Sequence, residues 1–394
     1  MKKQQSGKST ALLYTACQAF YWAALAATSG FTAVFLVSKG VSDDGVGIAV
    51  SLAAVSGILM QLFSSGYLDG HPSFPAKFLI AGLCVISALT AFFSIFASAP
   101  FVVITLYVLS LSTLRSISPV LSTLSVTSNI HIPFAVARGV GSTTYAFASL
   151  AVGLLIKKTT GSTIMAVYIP LCLMIGASIF FMREEHVNTP SKDENVPSYT
   201  DILKGNRPFL LFLAACILNG VAQSASSTFL IRIIEECGGG AGELGIALFV
   251  QSASGIPVTF LMVKLRERIS ADKFVAFSFF AFIFRIAPLA FVKSVSAVYI
   301  IMAVNALCIG IFCVSSVDFA DSVSRENEKA RAQALLSLCS NSGIGQIIGG
   351  VFSGIVLDAF GVRPLFAICG VLCALSFIVM LLCIRFNSKP AKTA

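Results

Sequence analysis

Twelve long apolar runs constrain this chain more than any other feature. They lie at about 11–37, 45–68, 75–97, 100–127, 135–156, 161–182, 207–231, 242–264, 270–291, 295–318, 331–357 and 363–385 of 394 residues. A helix needs about 20 apolar residues to cross a hydrocarbon core roughly 30 Å thick. Inside lipid every backbone N–H and C=O has to be paired within the protein, so runs of this length are expected to fold as helices. The expected fold class is an all-α membrane protein with twelve transmembrane helices. Composition agrees: 56% of residues are hydrophobic and 11% charged, against about 25% charged in soluble domains. A soluble enzyme, a disordered protein and a disulfide-stapled secreted domain are thereby excluded. The first run exceeds the roughly 7–15-residue core of a signal peptide, and reads as the first membrane helix.

One segment interrupts the series. Residues 183–206, REEHVNTPSKDENVPSYTDILKGN, carry both charge signs and two prolines. The expected organisation is a six-helix bundle over 1–182, a cytoplasmic linker over 183–206 and a second six-helix bundle over 207–394. The net charge of +9 could suggest nucleic acid, but basic residues on an apolar chain orient membrane loops. With both termini cytoplasmic, 19 of the 27 Lys and Arg fall on the inner side and six on the outer, with Arg115 and Arg285 inside spans. That bias favours a multi-pass protein of the cell membrane with cytoplasmic termini. Ten of the eleven cysteines lie inside apolar runs, no CxxC occurs, and His71, His131 and His186 sit near no cysteine pair. The cysteines therefore read as small packing residues, and neither a metal nor another cofactor is expected.

The fifth span of each half is rich in glycine. The first opens at Arg138 and carries Gly139, Gly141 and Gly153; the second opens at Arg331 and carries Gly343, Gly345, Gly349, Gly350 and Gly354. Small residues let helices approach closely in lipid, and paired halves mark transporters built from repeated bundles. Six plus six helices around a polar linker resembles the major facilitator superfamily of secondary transporters. Residues 66–77, GYLDGHPSFPAK, resemble its loop signature after the second span, with Gly66 and Asp69 matching and Gly70 standing where a basic residue is usual. The resemblance implies a gating role for Gly66 and Asp69; a solvated loop acid is the plainer reading of Asp69. The start of the fifth span, RGVGS at 138–142, looks like that of the lactose-permease-like branch (oligosaccharide, nucleoside and phenylpropionate permeases). There the Arg binds sugar, which nominates Arg138. The branch's sugar permeases also use a Glu in the fourth span and a His and a Glu in the tenth. This chain has none of these, which leaves sugar specificity and the usual proton route open.

In this superfamily the first and fourth helices of each half line the central cavity. A cavity face should show as a polar or aromatic stripe at helical spacing. The first span offers Tyr14, Gln18, Tyr21 and Thr28, with Trp22 adjacent. The fourth offers Ser112, Arg115, Ser118, Ser122 and Ser125. The seventh offers Asn219, Gln223 and Ser226, and the tenth Asn305, Cys308, Phe312 and Ser315. Any single Ser or Thr is expected to join helix to helix. Amides are costly in lipid, so Gln18, Asn219, Gln223 and Asn305 are expected at the cavity. Arg115 lies mid-span, where a charge costs about 2.5–3.5 kcal/mol on insertion scales. Pro119, four residues on, has no N–H to give its carbonyl, which marks a kink. Arg115 is expected to clamp an anion or a hydroxyl; a structural cation bonding backbone carbonyls is the alternative. Arg285 is equally deep in the ninth span, where the superfamily resemblance implies a peripheral helix, and function and structure are evenly balanced for it.

The expected substrate contacts are Arg115, Arg138, Gln18, Tyr21, Trp22, Asn219, Gln223, Asn305 and Phe312. Two interior cations with no deep carboxylate suit an organic anion, and a sugar or nucleoside fits nearly as well. The leading expectation is a secondary transporter moving a small hydrophilic organic solute, sugar-like or anionic, by alternating access. A drug or metabolite exporter of the same superfamily is one alternative, and a channel-like or sensor protein is another of a different class. No GxxxxGK[ST] loop is present for ATP, and no catalytic constellation lies within the membrane, so an enzyme is not expected. The expected partners are a small-molecule substrate, the bilayer and a coupling proton, with uniport or anion exchange competing. Nucleic acid is not among them, and a monomer is expected.

Overall fold

The computed structural model describes residues 2–71, 73–127, 134–182, 199–265, 268–325, 328–340 and 343–387. Among them the regular structure is helical, with no strand. The first half runs α1 (Lys2–Ser29), α2 (Thr32–Ser38), α3 (Asp43–Gly70), α4 (Ala76–Phe96), α5 (Pro100–Thr127), α6 (Phe134–Ile156) and α7 (Thr163–Phe180). A short helix, α8 (Tyr199–Gly205), lies in the polar stretch between the halves, where the sequence offered only polarity. The second half runs α9 (Arg207–Glu236), α10 (Ala241–Leu265), α11 (Ala271–Ile286), α12 (Val295–Ala303), α13 (Ile311–Val323), α14 (Lys329–Cys339), α15 (Ile344–Phe360) and α16 (Val362–Asn387). Eleven spans among the described residues are long and apolar enough to cross a membrane, and α1 with α2 supplies a twelfth. The protein is an all-α membrane protein of the expected helix number.

The first span is not one straight helix. It bends by 51° between α1 and α2. Thr28, Ser29 and Thr32 turn their hydroxyls back onto the carbonyls of Ala24, Leu25 and Thr28 at 2.9, 3.0 and 3.2 Å. Such back-bonding competes with the backbone ladder and bends helices, and Gly30 between them adds little resistance. The seventh span starts cleanly. Asn206 caps α9 by accepting from the Phe209 N–H at 3.0 Å, and Pro208 occupies the first turn, where no N–H is needed.

The chain divides into two compact units, Met1–Ser191 with Gly239–Phe249 and Lys192–Gly238 with Val250–Ala394. In the first unit α1 packs on α6 and α7, α3 on α5, and α4 on α5 and α7. In the second, α9 packs on α15 and α16, and α11 on α13 and α16. Each unit thus sets its first helix against its fifth and sixth, and its third against its fourth and sixth. Glycine makes the first-to-fifth contact in both. A Cβ on Gly141 would lie 2.2 Å from Cδ1 of Trp22, and one on Gly345 would lie 2.7 Å from Cα of Gly220. Both glycines are excluded from carrying a side chain by the partner helix itself.

A few hydroxyls join helices in the first unit, while most of the described Ser and Thr hydroxyls bond back to a carbonyl of their own helix rather than to a neighbour. Ser87 donates to the Ser110 carbonyl at 2.8 Å, Ser110 donates to the Ser87 carbonyl at 3.1 Å, and Tyr168 donates to the Ser110 carbonyl at 3.1 Å. The ion pairs sit at helix ends: Lys157 with Glu243 in the first unit and Arg363 with Glu236 in the second, each at 2.8 Å. Such exposed pairs are worth at most about 1 kcal/mol.

The Gly345 contact gives a direct test. Gly345→Leu should destabilise the protein by about 1–3 kcal/mol, since the obstructing atom is backbone and cannot swing aside. Gly82 has open space around it, so Gly82→Leu should leave the melting temperature within error. Thermal melts of both variants in detergent check this; equal melting temperatures would show that the α9–α15 contact yields more readily than its geometry implies.

Candidate functional site

The interior polar groups form one cluster in each unit. In the first, Gln18 donates to the Tyr14 hydroxyl at 2.9 Å, and Tyr14 donates to the Leu121 carbonyl of α5 at 3.0 Å. One turn on, Tyr21 and Trp22 meet edge to face with ring centroids 5.7 Å apart, and Trp22 meets Tyr145 of α6 at 6.3 Å. Further along, Tyr107 and Thr32 share a hydrogen bond of 2.7 Å between α5 and α2. The polar stripe of α1 is therefore occupied with α5 and α6, through pairs that favour edge-on aromatic geometry.

Arg115 is half-buried on α5. Its stem lies over Gly57 of α3, where a Cβ would sit 3.6 Å from Cδ of Arg115. Tyr107 and Tyr21 lie within electrostatic range of its guanidinium. Pro119 stands inside α5. The carbonyl that Pro119 cannot serve accepts from Nε2 of Gln61 on α3 at 3.3 Å. The freed carbonyl is thus tied to the neighbouring helix by a side chain that the sequence did not single out. The side chains of Arg138 and Asp69 lie outside the described residues, although their backbones belong to α6 and α3. Gly66 is exposed on α3 with open space around it.

The second unit holds the more deeply buried charge. Arg285, in the last turn of α11, is 3% exposed. Its Nη1 donates to Oε1 of Gln223 on α9, and its Nη2 donates to Oε1 of Gln251 on α10 at 3.0 Å. No carboxylate among the described residues pairs with it; the thiols of Cys308 and Cys373 lie nearby. The C-terminal end of α11 contributes partial negative charge beside the cation. Asn305 gives its Nδ2 to the Gln251 carbonyl at 3.2 Å. Asn305 stands immediately before a π turn, Ala306–Gly310, that joins α12 to α13. Such turns are rare and occur often at functional sites. Asn219 is fully buried one turn before Gln223 and accepts from Sγ of Cys373 at 3.7 Å. Phe312 packs edge-on against Phe279 and Phe282 of α11, with centroids 5.8 and 6.3 Å away.

The structure therefore brings Gln223 to Arg285, ties Asn305 to the backbone of Gln251, and sets Asn219 on the same face of α9 as Gln223. It also adds Gln251, which the sequence reading passed over. The available signal was the amide itself, an expensive group in an otherwise apolar span. The ninth span, expected to be peripheral, supplies the cation at the centre of the cluster.

The helix order and the paired units have a match among known families. The model described as MFS_1 like family matches residues 12–368. The chain belongs to that family, within the major facilitator superfamily. No curated protein sequence matches the chain. Among solved structures, a single-residue mutant of the nucleoside transporter NupG superposes with a TM-score of 0.83 at 15% identity, covering 95% of this chain and 99% of that one. A bacterial homologue of the human lysosomal transporter Spinster gives 0.70 at 12% identity, covering 99% of each chain. An auto-inhibited peptide transporter of the POT family gives 0.75 at 11%, covering 97% and 99%. At these identities the likeness establishes the fold. Within this family the chain is a multi-span secondary transporter.

The Gln61 bond predicts a coupling. Gln61→Leu should cost about 1 kcal/mol, the usual net worth of a hydrogen bond. In a Pro119→Ala background the residue at 119 has an N–H for the Arg115 carbonyl, and the cost should shrink towards zero. A double-mutant cycle of melting temperatures reads the difference. Additive effects would mean that Gln61 does not stand in for the missing N–H.

Proposed function

We propose that this transporter moves a small hydrophilic organic solute, sugar-like or an organic anion, across the cell membrane by alternating access. The observation that carries the reading is the Arg285 cluster, a buried guanidinium held by Gln223 and the half-buried Gln251, with Asn305 on the Gln251 carbonyl. Ionisable groups at membrane depth are costly and mark substrate or ion pathways. In this reading residues 1–182 and 207–394 are the two moving bundles, 183–206 is their cytoplasmic linker, and both termini are cytoplasmic. Arg115, Arg138, Gln18, Tyr21 and Trp22 contact the solute from the first bundle. Asn219, Gln223, Asn305 and Phe312 contact it from the second. Gly66 and Asp69 gate the cytoplasmic side. That NupG is a nucleoside transporter supports a hydroxyl-bearing solute on this scaffold.

The first test is a thermal-shift panel of sugars, nucleosides and small carboxylates on the detergent-purified protein and on Arg115→Gln. A ligand bound only by the folded state at a hundred times its Kd adds about 2.7 kcal/mol of stability, a clear rise in melting temperature. The expected result is stabilisation of the wild type by one class and a weaker response of the variant. A flat response across all three classes would remove the hydrophilic-solute reading.

Coupling has its own test in proteoliposomes under an imposed pH gradient. If a proton moves with the solute, accumulation should fall when an ionophore collapses the gradient. Uptake that is indifferent to the ionophore would leave uniport or exchange.

A further inference from the structure

We propose that Arg285 is a positioning residue that sets which ligand chemistry the second unit accepts. By holding the side-chain oxygens of Gln223 and Gln251, it presents both amide nitrogens as donors and selects a small solute rich in acceptor oxygens, a carboxylate first. The inference rests on the hydrophilic-solute reading above and narrows it to a chemical class.

The argument is one of donor and acceptor counting. A glutamine amide can turn either end to a neighbour, but a guanidinium has five N–H groups and no acceptor. Both glutamines must therefore offer oxygen to Arg285, and their NH2 ends point elsewhere. The two oxygens come from different helices, Gln223 on α9 and Gln251 on α10. A rigid planar fork suits that arrangement, and a lysine ammonium would not reproduce it. Neither amide nitrogen has a hydrogen-bond partner among the described residues.

The remaining groups lean the same way. Nε of Arg285 and Nδ2 of Asn219 are buried without a partner. Both are donors. The buried acceptor left over in the cluster is Oδ1 of Asn305, whose nitrogen is committed to the Gln251 carbonyl. Four donor groups, one acceptor and an uncompensated positive charge make a poor site for an amine. They make a good one for a solute that brings negative charge and acceptor oxygens. The same counting explains why Arg285 sits on two neutral oxygens: an acid in place of either glutamine would neutralise the cation and remove a donor.

The experiment uses the full-length protein, in detergent for dissociation constants and in proteoliposomes for uptake. The probes are gluconate, glucose and glucosamine, three related six-carbon compounds, together with succinate and succinamide. The wild type should bind gluconate over glucosamine, and succinate over succinamide, by about tenfold or more, because a mismatched probe leaves buried polar groups unpaired. Arg285→Lys keeps the charge and loses the fork. It should weaken the favoured probe about tenfold, bring both ratios towards one, and show the loss in KM rather than kcat. Gln223→Glu places a carboxylate on Nη1, and should lower gluconate affinity while raising that of glucosamine. Where Arg285→Lys does not fold, Gln223→Glu carries the test, since it keeps the guanidinium and gives it an acid partner. Unchanged ratios in both variants, with wild-type binding intact, would overturn the role given to Arg285 and leave the transport reading standing. A wild type that binds none of the five probes would overturn the hydrophilic-solute reading and this inference with it.

Discussion

Nothing in hydrocarbon replaces water as a hydrogen-bond partner, and this constraint orders the molecule at every scale. At the backbone it requires helices, because only a helix pairs its own N–H and C=O groups within one segment. At a defect it requires a substitute. Pro119 removes a donor from α5, and Gln61 of α3 supplies one to the carbonyl of Arg115. At the side chains it requires that polar atoms find one another across helices, as Ser87, Ser110 and Tyr168 do. Since lipid is as apolar as leucine, burial of apolar surface adds little attraction between helices; close packing and these polar contacts have to hold them. The glycines serve that packing: Gly345 lets α15 lie against the backbone of α9, and Gly141 leaves room for the Trp22 ring.

The number and placement of the spans were legible because hydropathy is a property of the chain read residue by residue. The runs at 100–127 and 135–156 became α5 and α6 nearly to the residue. Breaks within spans were less visible. The bend after Ser29 arises from three hydroxyls folding back on carbonyls, and Ser and Thr elsewhere in the chain do the same without a break of that size. The π turn before α13 has no proline to announce it. Helix α8 is about two turns long, Tyr199–Gly205, too short for a helical period to show in the sequence.

The candidate site was legible where a single residue betrays itself by its cost. Gln223, Asn219 and Asn305 stood out as amides in apolar spans, and Arg115 and Arg285 as charges. What a one-dimensional reading could not supply was the pairing. Attention to the first and fourth helix of each half followed from the superfamily's cavity. It drew emphasis away from Gln251 in the eighth span and set Arg285 in the ninth apart as peripheral. Only the tertiary arrangement of α9, α10 and α11 shows that one guanidinium binds two glutamines from separate helices.

The two interior arginines solve the same problem differently. Arg115 is half-buried, with its aliphatic stem over Gly57 and tyrosines near its head. Arg285 is almost fully enclosed, and its hydrogen-bond partners among the described residues are the neutral oxygens of two glutamines. Neutral oxygens compensate a buried cation less well than a carboxylate would, and a buried charge without a counter-ion lowers the stability of its surroundings. A single glutamine-to-glutamate change could provide that counter-ion. Residues that hold a fold below its attainable stability are common where function needs them. In the reading proposed above, an anionic solute supplies the negative charge that no described residue places beside Arg285.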